Sequence, residues 1–399
     1  MNPSLKITLR SGKDDAVRRF HPWVFSGAIK KTEGRAWDGC HAEVFSNKDE
    51  YLGCGIYQDA TIAVRLLAFA PERPESFGQD FWYKKLMAAW QLRQLAGLSQ
   101  NPVTNVYRLV HGEGDHLPGL IIDHYNGHLV VQVHATGLYR YLDTIVQGVE
   151  AVYGDAVRSI YDKSRETLPG PFWKDREPRG FITGAADDPV EVVENGLSFM
   201  VDIEKGQKTG FFIDQRDNRQ LLTRYCQGKK VLNTFSYSGG FSVYALKAGA
   251  SQVYSIDSSA RAMDLCVRNV SLNGGEERHT AITADAMEYL RSNTEQHDVI
   301  VLDPPAFAKH QHVKHKAVQG YKRLNLEAIK AIAPGGVLFT FSCSQVVDMR
   351  LFQATVMAAA ILAGRQVRVL HQLTQPADHP ANMFHPEGQY LKGLILLID

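Results

Sequence analysis

Two side chains are placed to do covalent chemistry together. Asp303 ends the run Asp298-Val299-Ile300-Val301-Leu302-Asp303-Pro304-Pro305-Ala306-Phe307, and Cys343 ends Leu338-Phe339-Thr340-Phe341-Ser342-Cys343-Ser344. Each apolar run reads as a buried strand, so both groups fall where a strand gives way to a turn. The two prolines fix the backbone and remove N–H donors, which aims the Asp303 carboxylate and the nearby carbonyls at one place. A thiol is a nucleophile as its thiolate, which electropositive neighbours favour. Thiolate and carboxyl together suit attack on an electron-poor ring: sulfur adds to carbon while the carboxyl hydrogen-bonds a ring nitrogen. The bland readings are a small buried hydrophobe for Cys343 and a structural Asp-Pro turn for Asp303. Of the other cysteines, Cys266 falls in a helical pattern, Cys226 precedes a strand, and Cys40 and Cys54 lie near the N-terminus. With no CxxC pair, the five cysteines suggest neither a zinc site nor a disulfide framework, and they fit a reducing, cytoplasmic setting.

Further polar groups sit at the ends of earlier strands. The run Val231-Leu232-Asn233-Thr234-Phe235 leads into Ser236-Tyr237-Ser238-Gly239-Gly240 and a helix. Glycine lets backbone approach a ligand, and a helix N-terminus offers unbonded N–H groups. This turn is not the G-x-G-x-x-G of dinucleotide enzymes. Asp257 closes the next strand, placed to accept bonds from both hydroxyls of a ribose. Asp285 closes the third, placed for an adenine amino group. Either aspartate alone reads by default as a helix N-cap; at successive strand ends they describe a nucleoside-binding edge.

These ends belong to a regular alternation. Strands at 230–235, 252–256, 280–284, 298–302 and 336–341 alternate with helices at 241–248, 260–272, 286–291 and 324–333, after a hairpin at 197–203. That pattern predicts an α/β domain with a mostly parallel sheet, helices on both faces and ligands at the carboxyl ends of the strands. Upstream, short β-like runs over residues 1–72 predict a small β-barrel module, closed by the proline-rich break 70–75. Residues 73–188 read as an α+β linking domain, with a helix at 81–95, strands at 119–123 and 129–133, a helix at 139–153 and an irregular stretch at 169–188. The catalytic domain then occupies 189–399. No eighteen-residue apolar run predicts a membrane span, and the first residues lack a secretory layout. The net charge of +1 does not announce a nucleic-acid binder. Locally, however, 305–323 holds five Lys/Arg, three His and no acidic residue, a loop suited to phosphates if it is more than a solvated surface.

The assembled motifs resemble the bacterial large-subunit ribosomal RNA cytosine-5 methyltransferases that carry an N-terminal PUA domain. The resemblance spans essentially the whole chain. It rests on His21-Pro22-Trp23-Val24-Phe25-Ser26-Gly27, on Tyr107-Arg108-Leu109-Val110 with Leu117-Pro118-Gly119-Leu120, and on Gly206-Gln207-Lys208-Thr209-Gly210-Phe211-Phe212 with Asp214-Gln215-Arg216-Asp217-Asn218-Arg219. Phe235-Ser236-Tyr237-Ser238-Gly239-Gly240, Asp303-Pro304-Pro305, Phe341-Ser342-Cys343-Ser344 and Gln389-Tyr390-Leu391-Lys392-Gly393 complete it. It implies a Rossmann-like class I methyltransferase domain behind a PUA-like module, acting on large-subunit ribosomal RNA. It also implies S-adenosylmethionine held by Phe235, Ser236, Tyr237, Gly239, Asp257, Asp285 and Asp303, with Cys343 as nucleophile and Asp303 as acid. Gln215 and Arg219 are further cofactor contacts on this reading, a structural ion pair being the alternative for Arg219. No metal and no membrane partner is implied, and a homodimer stays open.

Two features depart from the pattern. Many RNA cytosine-5 methyltransferases have a second cysteine just after the proline turn; here Ala306 stands there, which leaves the base for the C5 proton unassigned. The stretch 163–175 is less basic than in similar proteins. Three rival readings exist: methylation of a guanine ring nitrogen, which needs no thiolate; a non-catalytic RNA-binding assembly factor, which would not need the strand-end carboxylates; and a small-molecule methyltransferase, which would not need the N-terminal module.

Overall fold

The computed structural model describes residues 4–187, 189–308 and 311–399. The chain forms two compact units, and each gathers more than one stretch of sequence. The first consists of Met1–Val190, Asp202–Gly210 and Ala377–Gly388; the second of Glu191–Val201, Phe211–Pro376 and Gln389–Asp399.

The first unit holds two sheets. Six strands between Leu5–Leu9 and Ile62–Phe69 make one of them. Alternation buries Leu5, Ile7 and Leu9 on one face, against Val44, Val64 and Leu66. The other has five strands, with helices Gln79–Leu95 and Leu142–Tyr153 packed together through Trp82, Leu86, Ile145 and Val149. Its edge strand, Gly180–Gly184, falls in the stretch expected to be irregular. That strand pairs on one side only and is half-buried at best, so no apolar alternation marks it. Arg93, fully buried, anchors this unit: it forks onto Asp115 and donates to the backbone oxygens of Arg108 (2.6 Å) and Asp378 (2.8 Å). The Asp378 carboxylate in turn accepts the Arg108 N–H at 3.0 Å.

In the second unit, β1 (Lys230–Thr234), α1 (Gly240–Lys247), β2 (Gln252–Asp257), α2 (Ala260–Asn273), β3 (His279–Thr283), α3 (Ala286–Ser292) and β4 (His297–Leu302) alternate as expected. Next come α4 (Lys314–Ala331), β5 (Ile332–Ser342), α5 (Met349–Ala363), β6 (Val367–Leu373) and β7 (Lys392–Ile398). The sheet order is β3-β2-β1-β4-β5-β7-β6, parallel except for β7, which runs antiparallel to both neighbours. Strands buried on both faces explain the continuous apolar runs of β4 and β5. Helix α4 starts at Lys314, not at 324, so most of the basic stretch read as a loop is helical. Its first turns are dense in Lys and His, and their buried positions are only Ala317 and Tyr321, which hid them. Lys309 and His310 lie outside the described residues. Among those residues, no helix is long and apolar enough to cross a membrane.

The β1–α1 turn is tightly specified. Phe235 and Tyr237 both have positive φ, at 54° and 45°, an uncommon state for bulky residues that is held only where surroundings over-determine it. Ser236 N–H bonds Ile256 O at 2.9 Å, and Asn269 donates to Ser238 O at 2.9 Å. Gly239 has φ +80°, and a Cβ there would stand 2.5 Å from Cys266 Sγ. Gly239→Ala should therefore cost about 2–3 kcal/mol in urea unfolding, from backbone strain plus the clash; an unchanged midpoint would show that the turn is not constrained in this way.

Candidate active site

The carboxyl ends of β1, β2, β4 and β5 carry the groups singled out in the sequence. Asp257, half-buried, accepts the Tyr237 N–H and the Ser259 N–H, each at 2.9 Å. It thus ties the glycine-bearing turn to the end of β2 and keeps carboxylate lone pairs for a diol. Asp285 is exposed and caps α3, accepting the Glu288 N–H at 2.9 Å, so the bland reading of this residue is realised. A cap uses one oxygen and leaves acceptor capacity.

Cys343 and the Asp-Pro-Pro turn come together: Sγ lies 3.9 Å from the Pro304 carbonyl oxygen. Ser344 pins the turn from the other side, since its Oγ accepts the Ala308 N–H at 3.3 Å and pairs with Tyr321 Oη at 3.0 Å. The Phe307 and Tyr321 rings pack 4.6 Å apart beneath. Cys343 is half-buried, whereas the other four cysteines are buried. Burial pushes the Cys226 and Cys266 thiols up to about 12 and Cys54 to about 11, away from the reactive range.

Asp303 has its carboxyl raised to about 7, first by burial and then by the neighbouring Asp214 carboxylate; a hydrogen bond from Gln215 and the charge of Arg219 oppose the rise. A carboxyl that keeps its proton close to neutrality can donate to a ring nitrogen as well as accept. Gln215 is held by Asn218, whose amide donates to Oε1 at 2.6 Å, and Asp214 by Tyr390 Oη at 2.8 Å.

Arg219 is committed elsewhere. Its Nε and Nη2 fork onto Glu194 at 2.8 and 2.7 Å, Nη1 donates to Phe212 O at 2.9 Å, and the guanidinium lies over the Phe211 ring. Tyr244 Oη also donates to Glu194, at 2.9 Å. Of its two readings, the structure displays the ion pair, and both partners are buried. Glu194, Asp214, Tyr390 and Lys392 were given no role from the sequence. Lys392 is buried, pairs with Ser342 across the β5–β7 ladder, and donates to the carbonyl oxygens of Ser344 (2.7 Å) and Tyr390 (2.6 Å). Only the pairing of distant strands brings it there.

The family model for the S-adenosylmethionine-dependent methyltransferases matches residues 107–381. The chain belongs to that family. A PUA-like domain model matches residues 7–69 of this methyltransferase. Among curated proteins it is 39% identical, over 98% of its own length and 99% of the other's, to "Ribosomal RNA large subunit methyltransferase I" of Aeromonas salmonicida. The Escherichia coli protein of the same name is 38% identical, with 98% of each chain covered. Among solved structures, a methyltransferase in complex with S-adenosylhomocysteine superposes with a TM-score of 0.83 at 22% identity, covering 98% and 99% of the two chains. A S-adenosylmethionine-dependent methyltransferase from Streptococcus mutans gives 0.82 at 22%, again over 98% and 99%. The fold is therefore the Rossmann-like methyltransferase fold with a PUA-like module, and the cofactor is S-adenosylmethionine. The donor set fits it: a half-buried carboxylate at the end of β2, a backbone turn opened by Gly239 and a polar strand end at β4.

In the first unit, His21, His385 and Glu387 bring ligand-type atoms within 4.8 Å of one another. His21 Nδ1 lies 3.2 Å from the Trp23 backbone nitrogen and 3.4 Å from the Trp23 carbonyl oxygen, and its Nε2 is 3.9 Å from the Glu387 carboxylate. We assign no metal to this group.

The raised Asp303 carboxyl makes stability pH-dependent with a definite sign. Ionising at 3.8 when unfolded and about 7 when folded, it takes up a proton on folding between those values, so its contribution is lost as pH rises through them. Asp303→Asn cannot ionise. Its stability relative to the parent should climb from about pH 4 to about pH 7, by about 4 kcal/mol, and then level. Urea melts across that range measure the climb; a flat difference would exclude a carboxyl held protonated by burial.

Proposed function

We propose that this methyltransferase forms 5-methylcytosine in large-subunit ribosomal RNA, with Cys343 as covalent nucleophile and Asp303 as the acid. The observation that carries the reading is the approach of Cys343 Sγ to the Pro304 carbonyl, which sets the thiol against the Asp-Pro-Pro turn. Support for the RNA class comes from the curated relatives' name over nearly the full length of both chains. Cytosine C5 is too weak a nucleophile to take a methyl group unaided. On this reading the thiolate forms a bond to C6, and the C5=C6 π electrons move onto C5 while Asp303 hydrogen-bonds N3. Bound S-adenosylmethionine supplies the electrophilic methyl group. After C5 is methylated, a base removes its proton, the electron pair reforms C5=C6 and the Cys343 thiolate leaves. With Ala306 after the prolines, that base is not a second cysteine at this turn.

In this proposal Phe235, Ser236, Tyr237, Gly239, Asp257, Asp285, Asp303 and Gln215 contact the cofactor, and Arg219 supports them from its pair with Glu194. Residues 1–72 form the RNA-binding module, 73–188 the linking domain and 189–399 the catalytic domain. The basic first turns of α4 face RNA phosphates, and the protein works in the cytoplasm.

Asp257→Ala should weaken S-adenosylmethionine binding roughly 30- to 1000-fold by calorimetry, the loss of a charge-assisted pair of hydrogen bonds worth about 2–4 kcal/mol. Unchanged affinity in a folded variant would remove Asp257 from the cofactor site. For the chemistry, wild-type protein should form a denaturation-resistant adduct with ribosomal RNA carrying 5-fluorocytosine, because fluorine cannot leave as a proton. Cys343→Ser should abolish both the adduct and turnover while cofactor binding persists. Wild-type methylation rates in Cys343→Ser would reject the thiolate route and leave ring-nitrogen methylation of guanine as the better reading.

A further inference from the structure

We propose that Lys392 is the cationic partner of the Cys343 thiolate, a positioning residue that keeps the nucleophile ionised near neutral pH. The inference deepens the proposed function and rests on Cys343 being the nucleophile. Lys392 is the first residue of β7, opposite Ser342 in the ladder. Its ammonium donates to the carbonyl oxygen of Ser344 at 2.7 Å, so the lysine is bonded on one side of Cys343 in the sequence and paired on the other. A second donor goes to Tyr390 O, which leaves one N–H of the three. The side chain is 5% exposed as a residue, so the charge has been taken out of water.

A buried ammonium is costly unless an anion answers it. Carbonyl dipoles answer it in part. Among the described residues, the ionisable groups whose charge acts on Lys392 are Cys343 and Asp348. Asp348 is exposed and already caps α5, accepting the Leu351 N–H at 2.8 Å. Cys343 Sγ lies 3.9 Å from the Pro304 carbonyl oxygen, and its neighbour Ser344 holds both the Tyr321 hydroxyl of α4, at 3.0 Å from Oγ, and the Lys392 ammonium, at its carbonyl. Cys343 in its anionic form therefore completes the environment of Lys392, and the ammonium in return favours that form. Burial pulls the lysine down to about 8, low enough for its charge to be lost at moderately alkaline pH. The thiol proton goes to solvent when the pair forms, and no redox partner is needed. The pairing gives the active-site cysteine what the buried cysteines lack, a fixed positive neighbour.

Alkylation of the full-length protein by iodoacetamide across pH, followed on the Cys343 peptide by mass spectrometry, tests the pairing without RNA or cofactor. Lys392→Met removes the charge and keeps the length. Its alkylation midpoint should rise by about one pH unit or more, slowing the reaction about tenfold on the acid side and leaving the alkaline plateau unchanged. Lys392→Arg should hold the midpoint near that of the wild type. A merely structural role would change the rate by the same factor at every pH. Should Lys392→Met fail to fold, Lys392→Gln, which keeps an N–H donor for the carbonyls, carries the same readout. An unmoved midpoint in the folded neutral variant overturns the proposal. Because methyl transfer is not measured, this result is separate from the outcome of the Cys343→Ser experiment.

Discussion

The ion pair between Arg219 and Glu194 is the interaction on which the catalytic unit turns. Both groups are buried, and neither could be there alone: removing one partner would strand the other's charge at a cost of about 3–5 kcal/mol. Glu194 ends the first strand of the hairpin that precedes the sheet, and Arg219 lies on the short helix Arg216–Leu222. Their pairing, with Arg219 bonded back to Phe212 O, fixes the segment that carries Asp214 and Gln215. Those two residues set the environment of Asp303, one raising its carboxyl and the other restraining the rise. The same guanidinium lies against the start of α1, where a Cβ on Gly240 would come 3.0 Å from Arg219 Cδ. One buried charge thus serves the β1–α1 turn and the Asp303 carboxyl together.

A mostly parallel sheet alternating with helices was legible because the signals are local. Apolar runs, a glycine turn and Asp-Pro-Pro announce themselves within ten residues, and β1 to β4 lie within two residues of their expected limits. What escaped the sequence depends on distance along the chain. Lys392 reaches the Ser344 carbonyl only because β7 inserts antiparallel between β5 and β6, in a register that places it against Ser342, fifty residues earlier. No periodicity encodes that register. Asp214 and Tyr390, which bond each other across an even longer separation, escaped for the same reason. Helix α4 escaped for a different one: in its first two turns the buried positions Ala317 and Tyr321 are set among Lys, His and Gln, so the helical period is plain only from Leu324 on.

Polar groups in this unit are spent in chains. Asn233 donates to Ser242, Ser242 pairs with Ser255, and Ser255 pairs with His279, so hydroxyls link β1, α1, β2 and β3. Such a chain satisfies each member only when all are in place, which specifies one arrangement of the strand ends where an apolar core would tolerate several. The strained turn at Phe235 and Tyr237 is held by this kind of over-determination.

The chain leaves the catalytic sheet after β6, spends Ala377–Gly388 inside the first unit, and returns as β7. There the Arg93 and Arg108 bonds to Asp378 make the excursion part of that unit's buried charge network. The halves are therefore stitched, not strung. A genetic cut near residue 190 would give one fragment missing a stretch of its interior and another with an orphaned loop between two strands. Such a protein cannot exchange its N-terminal half as a cassette through simple end-to-end recombination. A substitution around Asp378 acts on a segment that belongs to one unit in its packing and to the other in its chain connections.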